Sequence, residues 1–143
     1  MIAVTTFTTI PVAETAYGHI ETNLEGNTYS IQSSDWETLH AYTEREVRKY
    51  FSDIPVMIQI ARCESEFRHT LSDGSVLRGR VDNSDTGVMQ INKRYHEKRA
   101  LELDLDLEDL HDNMEYARDL YERKGTKPWS ASAPCWEKTL AKA

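Results

Sequence analysis

One glutamate and one short segment could act together in catalysis. Glu64 stands in IARCESEF, at the end of the most apolar run of the chain, residues 54–61. The segment GVMQIN begins 23 residues later, at Gly87. A carboxylic acid that a buried helix presents to a Gly-Met-Gln turn is suited to act as a general acid. Cleavage of a bond between two sugars is the chemistry that this pairing favours.

The position of Glu64 predicts a raised pKa. It falls at the C-terminal end of its predicted helix, where the helix dipole places partial negative charge, and Met57, Ile60 and Ala61 share its face. Both the dipole and burial favour the protonated form, which a glycosidic general acid needs near neutral pH. Glu66 should point elsewhere, because residues i and i+2 do not share a helix face.

The second segment would supply the surroundings of this acid. Gly87 permits close backbone approach, Met89 offers a flexible apolar wall, and Gln90 can donate to and accept from an N-acetyl amide. In isolation, Glu64 would more often be an ordinary surface carboxylate. The GVMQIN segment favours a functional acid over a surface carboxylate at Glu64.

The elements that must position these residues are mostly helices. Hydrophobic periodicity and capping residues predict a helix over 35–51, a central buried helix capped by Asp53, and further helices over 88–101 and 107–121, the last closed by Gly125. Turn signals at Asp73-Gly74 and at 82–85 flank an extended stretch, 75–81, which predicts a small β insertion. A short strand is expected at residues 4–10.

Composition limits the classes of function. The 143 residues suffice for one domain, with 39% hydrophobic and 29% charged residues. A formal net charge of -7 disfavours a nucleic-acid-coating protein, and no apolar run is long enough to span a bilayer. Residues 62–99 carry eight basic and six acidic side chains, a local excess of +2 that would suit a partly anionic polymer.

The two cysteines, Cys63 and Cys135, lie 72 residues apart and form no CxxC pair, so we expect no zinc or redox motif. Two buried thiols and a disulfide are both compatible with the sequence alone.

The N-terminal residues lack the charged and apolar regions of a signal peptide, so export would require a leader absent from this numbering.

Four segments carry a family resemblance: ARCESEF, GVMQIN, NMEYARDLY and GTKPW. Together they resemble the catalytic domain of the soluble lytic transglycosylases. A Cys directly before the Glu, and a second Cys after a Gly…Trp segment, also resemble the resuscitation-promoting factors. The resemblance spans residues 36–136. It implies an α+β, mostly α, lysozyme-like fold with a buried central helix and a small β-hairpin insertion.

The resemblance also implies roles for individual residues. Glu64 becomes the catalytic acid/base, Ser65, Met89 and Gln90 become cleft residues, and Tyr121 matches the active-site tyrosine of the family less closely. A Cys63–Cys135 disulfide is implied by the similarity to the resuscitation-promoting factors.

A second carboxylate decides between two mechanisms. Asn92 stands where goose-type lysozymes, which share this segment, carry an Asp, and we group it with the substrate-binding candidates. Asp82 and Asp85 could supply the second carboxylate that a hydrolase needs, although aspartates in turns more often bond their own backbone. A lytic transglycosylase does not need one.

The expected activity is therefore that of a lytic transglycosylase, acting on the β-1,4 bond between N-acetylmuramic acid and N-acetylglucosamine in peptidoglycan and leaving a 1,6-anhydro product. The alternatives are a lysozyme-type hydrolase of the same bond and a non-catalytic glycan-binding module. Peptidoglycan strands would be the partner of an extracytoplasmic monomer that needs no cofactor. The domain would cover residues 34–137, between a partly disordered arm or linker, 1–33, and a tail, 138–143.

The remaining candidates favour structural roles. His96 is expected to be a surface or satisfied, partly buried histidine, and we expect no metal site. Trp129 and Trp136 are expected to pack the domain shut rather than to stack on sugars. For Arg78 and Arg80, contact with glycan or peptide carboxylates and simple exposure are equally favoured.

Overall fold

The computed structural model describes residues 20–22, 28–30 and 33–141 of the chain. The chain divides into two units, residues 1–32 and residues 33–143. In the first unit, β1 (Ile20–Thr22) and β2 (Thr28–Ser30) form an antiparallel pair. The strand predicted at residues 4–10 lies outside the described residues.

The second unit is mostly helical. Its described residues form α1 (Ser33–Tyr50), α2 (Pro55–Ser65), α3 (Lys93–Glu102), α4 (Leu110–Lys124), a 3-10 helix (Lys127–Ser132) and α5 (Ala133–Leu140). Two short antiparallel strands, β3 (Asp85–Thr86) and β4 (Ile91–Asn92), complete it. This architecture confirms the predicted α+β, mostly α class. The terminal helix α5 continues beyond the predicted domain boundary at residue 137.

Helix α2 contributes much of the core, as its apolar sequence predicts. Met57, Ile60 and Ala61 are fully buried, and Pro55 occupies the first turn, where its missing N–H costs no hydrogen bond. The predicted cap is wrong, because Ile54 is the N-cap and no side chain caps the helix. Asp53 instead accepts two hydrogen bonds from Arg118 of α4, 2.8 and 2.9 Å long. Arg118 thus binds both oxygens of this carboxylate, in the bidentate geometry that arginine favours.

The insertion is less regular than the sequence predicts. The expected strand over 75–81 makes only isolated bridges, between Thr70 and Val76 and between Arg78 and Thr86. The helix predicted over 88–101 begins only at Lys93. Residues 88–92, predicted to begin this helix, form a turn and β4. The turn arises because Gln90 has a left-handed backbone with φ +48°.

The C-terminal segment closes the second unit. Trp129 and Trp136 are 3% and 6% exposed, so both pack in the core as predicted. The indole of Trp129 donates a 2.9 Å hydrogen bond to the Met89 carbonyl. A disulfide joins Cys63 of α2 to Cys135 of α5, with the two Cα atoms 6.0 Å apart. Within the described segments, no helix combines the length and apolar character needed to cross a bilayer.

Candidate active site

An open cleft of about 320 Å³ lies beside the last turn of α2. Glu64 borders it together with residues from the end of α2 and from the insertion, namely Cys63, Ser65, Glu66, Arg68, Leu77, Arg78, Gly79, Arg80, Val81, Asp85 and Gln90. The cleft therefore unites the two parts of the sequence that carry the predicted chemistry, the α2 glutamate and the segment before Asn92.

The Glu64 carboxyl is half-buried, and Oε1 accepts a 2.6 Å hydrogen bond from the Ser132 hydroxyl. Burial raises the pKa of Glu64 by disfavouring the ionised form, and the Asp85 charge raises it further. The hydrogen bond from Ser132 opposes both effects. The net direction is the predicted one, and burial is its main cause.

Ser132 was not among the sequence candidates. It ends the 3-10 helix, and its hydroxyl lies 3.1 Å from the Trp129 carbonyl as well as 2.6 Å from Glu64. The segment WSAS offers two serines, of which Ser130 is exposed and Ser132 half-buried. The sequence alone does not indicate which serine bonds Glu64. The path of the 3-10 helix across the end of α2 brings Ser132 to the carboxyl.

The predicted cleft residues take different places. Ser65 is 2% exposed, and its hydroxyl donates to the Ala61 carbonyl within α2. Gln90 borders the cleft, with its side-chain amide donating to the Gly87 carbonyl at 2.8 Å. Met89 is fully buried, so its side chain lies in the core and not at the cleft surface.

Asn92 joins the two candidate second carboxylates. Its side-chain amide lies 3.0 Å from Asp82 Oδ2 and 2.8 Å from Asp85 Oδ1, while its oxygen caps α3 by accepting from the Arg94 amide. The backbone amide of Ser84 and the Asn92 amide lower the pKa of Asp82. Of the two aspartates, Asp85 borders the cleft. Asn92 thus fixes the side chain of Asp85 at the cleft edge.

Two of the predicted residues lie in the helical scaffold. Tyr121 of α4 is half-buried and packs against the core cluster, outside the set of side chains that lines the cleft. His96 is partly buried, with Nδ1 2.9 Å from the Tyr116 hydroxyl, as expected of a satisfied histidine. Burial lowers the pKa of His96, which favours its neutral form.

Arg78 and Arg80 both border the cleft but differ in their bonding. Arg78 donates to the Thr86 hydroxyl and to Glu108, so it braces the insertion against the start of α4. Arg80 is exposed and stands next to Val81, whose side chain is fully exposed. Arg78 therefore has a structural role, while Arg80 faces solvent at the cleft rim.

Two buried polar residues that the sequence did not single out hold the GVMQ turn. Asn113 Nδ2 donates to the carbonyls of Thr86 and Leu107, and Oδ1 accepts from the Met89 amide. His69 Nδ1 accepts from the Val88 amide, and its Nε2 lies 2.8 Å from the Glu108 carbonyl. Both side chains are at most 3% exposed.

Gly87 permits this arrangement. Its backbone has φ +72°, and a Cβ there would lie 2.7 Å from Asn113 Nδ2 and 2.8 Å from His69 Cε1. Any larger residue would push these two side chains away from the turn. Gly87 thus permits a close approach to its backbone, as predicted. The groups that approach it are the side chains of Asn113 and His69.

Across the described residues, no group of three or more His, Cys, Asp or Glu side chains is arranged to hold a metal ion. Comparison of the chain with protein-family models, curated proteins and solved structures finds no match.

Proposed function

We propose that this protein is a lytic transglycosylase that cleaves the β-1,4 bond between N-acetylmuramic acid and N-acetylglucosamine in peptidoglycan, with Glu64 as the acid/base. The observation that carries the proposal is the Glu64 carboxyl itself. It is half-buried in an open cleft, its pKa is raised, and a hydroxyl fixes one of its oxygens. A raised pKa widens the pH range over which the carboxyl keeps its proton, and an acid in this position can deliver that proton to a leaving oxygen.

The reaction begins with protonated Glu64 donating to the glycosidic oxygen, and the bond between that oxygen and the muramyl C1 breaks. The N-acetyl group of the substrate stabilises the positive charge at C1. Glu64, now ionised, removes the proton of the muramyl 6-hydroxyl, and the 6-oxygen bonds to C1. The proton is back on Glu64, no water is consumed, and the product is a 1,6-anhydro sugar.

Hydrolysis of the same bond is the second candidate, and the position of Asp85 is the observation that favours it. Asp85 borders the same cleft, and its charge contributes to the raised pKa of Glu64. A second carboxylate so placed can activate a water or act as a nucleophile. The product would then be a reducing end.

Mass spectrometry of the soluble products from purified sacculi tests these proposals. We expect anhydro-muramyl ends from the wild-type protein and a loss of about a thousandfold in rate for Glu64→Gln, the scale of general acid–base catalysis. Glu115→Gln is the matched control, because Glu115 is an exposed glutamate of α4 that does not line the cleft. Reducing ends would instead support hydrolysis. Binding without any soluble product at any pH would support the glycan-binding module.

The disulfide bears on where this activity would occur. Structural disulfides persist in oxidising compartments and are rare in the cytosol. The Cys63–Cys135 bond is therefore compatible with the extracytoplasmic location in which peptidoglycan is found.

A further inference from the structure

The Ser132 hydroxyl has two hydrogen-bond partners but only one proton. Its oxygen lies 2.6 Å from Glu64 Oε1 and 3.1 Å from the Trp129 carbonyl oxygen. The carbonyl can only accept, whereas a carboxyl accepts when ionised and also donates when protonated. The bonding of Ser132 therefore depends on the protonation state of Glu64.

Both protonation states can be satisfied without movement of heavy atoms. When Glu64 is ionised, Ser132 donates to Oε1, and the Trp129 carbonyl keeps its 3.1 Å bond from the Trp136 indole. When Glu64 is protonated, its O–H donates to Ser132, and Ser132 turns its proton to the Trp129 carbonyl. Rotation of one hydroxyl is the only change required.

The backbone around Ser132 is well anchored. Three residues before Ser132, the Trp129 indole donates a hydrogen bond to the Met89 carbonyl. Three residues after it, Cys135 forms the disulfide with Cys63, the direct neighbour of Glu64. The Ser132–Glu64 hydrogen bond and the Cys63–Cys135 disulfide thus join the same two segments, residues 63–64 and 132–135. This anchoring fixes the position of the hydroxyl relative to the carboxyl.

We propose that Ser132 is a positioning residue that hydrogen-bonds Glu64 in both its protonated and its ionised state. The proposal rests on the role of Glu64 as acid/base, because a group that gives up a proton and regains it within one turnover needs a partner suited to both states. Preorganisation of this kind removes the need to rearrange solvent when the charge appears.

One charged group acts on Glu64 directly, and others border the same cleft. Asp85 from β3 raises its pKa, and the cleft further contains Glu66, Arg68, Arg78 and Arg80. From α1, His40 contacts the Glu66 carbonyl. All of these remain unchanged when Ser132 is replaced, so a variant of Ser132 reports on the hydroxyl alone.

The test compares Ser132→Ala, Ser132→Thr and the control Ser130→Ala, whose exposed serine lies two residues away in the same 3-10 helix. The Glu64 carboxyl is titrated by NMR with ¹³C-labelled glutamate, and Glu64→Gln assigns its signal. In Ser132→Ala the pKa of Glu64 should rise, because the charge-assisted bond lost by the ionised form is stronger than the neutral bond lost by the protonated form. Ser132→Thr, which keeps the hydroxyl, and Ser130→Ala should titrate like the wild type.

Kinetics on sacculi supply the second readout. In Ser132→Ala we expect kcat to fall roughly tenfold and the alkaline limb of the pH profile to move to higher pH. Ser132→Thr should restore both. An unchanged Glu64 titration in Ser132→Ala would overturn the proposal, as would a folded Ser132→Thr that behaves like Ser132→Ala. The titration needs no turnover, so an inactive wild type would count against the proposed function while leaving this test intact.

Discussion

The two walls of the cleft are held in place by different kinds of interaction. The wall that carries Glu64 is built from α2, the 3-10 helix and α5, which a disulfide and two buried tryptophans join. The opposite wall, residues 70–92, has only two-residue strands and isolated bridges. Its shape depends on side-chain hydrogen bonds from residues such as Asn92 and Asn113. The backbone next to the acid is thus held by a covalent bond. The facing wall, apart from the core residues Val88, Met89 and Ile91, is held by individual polar contacts.

Removal of the disulfide should have the largest effect on stability. Closure of a 72-residue loop restricts the unfolded chain, and its loss should lower the free energy of unfolding by about 4 kcal/mol. Chemical denaturation of a Cys63→Ala/Cys135→Ala variant measures this difference, with reduced wild-type protein as the matched control. An unchanged midpoint in both would mean that the covalent link contributes nothing to the Glu64 wall.

Asn113→Ala should cost about 3 kcal/mol, because the substitution leaves the carbonyls of Thr86 and Leu107 and the amide of Met89 buried without their partner. Thermal and denaturant unfolding measure the loss, and Glu115→Ala, an exposed position on the same helix, is the control. Amide exchange should show increased opening in residues 85–92 at lower denaturant concentrations than in α2. If both walls open together, they form one cooperative unit and the contrast between them fails.

Asn92→Ala and Asp109→Ala form a matched pair, since each side chain caps a helix, α3 and α4 respectively. Each variant should lose about 1 kcal/mol of stability. Only Asn92→Ala also removes the amide that bonds Asp82 and Asp85. For a hydrolase that uses Asp85, the substitution should lower kcat/KM on sacculi by up to about tenfold, whereas a lytic transglycosylase should keep its activity. Equal activities of the two variants would show that the position of Asp85 does not matter for turnover.

The smallest expected effect is on the pH dependence of stability. It should have one sign for Glu64 and the opposite sign for Glu108, which bonds Arg78 of the facing wall. The pKa of Glu108 is lowered from 4.5 to about 2 by Lys93 and Arg78, so its contribution is complete above pH 4.5 and is lost as the pH falls towards 2. The side chain is 39% exposed, which limits this contribution to less than about 1 kcal/mol.

Glu64 should act in the opposite direction. Its pKa is raised in the folded state, so its contribution is present below pH 4.5 and is lost as the pH rises through the folded-state pKa. At neutral pH, Glu64→Gln should therefore be more stable than the wild type and Glu108→Gln less stable. Unfolding curves between pH 2 and 8 measure both, and slopes of the same sign would contradict this assignment.

The helical wall could largely be predicted from the sequence, because its signals are local. The apolar run of α2 and the proline in its first turn are both recognised from neighbouring residues alone. The disulfide followed from the family resemblance, and it is present.

The insertion and the partner of Glu64 could not be predicted to the same extent. Met89 enters the core and Gln90 borders the cleft because the turn takes a left-handed conformation at Gln90, which hydrophobic periodicity does not indicate. Ser132 and Asn113 act through contacts with residues 68 and 27 positions away in sequence. Their chemistry is visible in the sequence, but their partners are set by tertiary packing.

The long separation between Glu64 and Ser132 also imposes an order on assembly during synthesis. The two residues are 68 positions apart, so at usual elongation rates the ribosome adds Ser132 several seconds or more after Glu64. Cys63 likewise cannot form its disulfide until Cys135 has been synthesised. Throughout this interval the nascent α2 carries its glutamate without the hydroxyl and without the covalent brace. The arrangement that holds the acid is therefore among the last contacts of the molecule to form, and a chain that stalls before Ser132 lacks it.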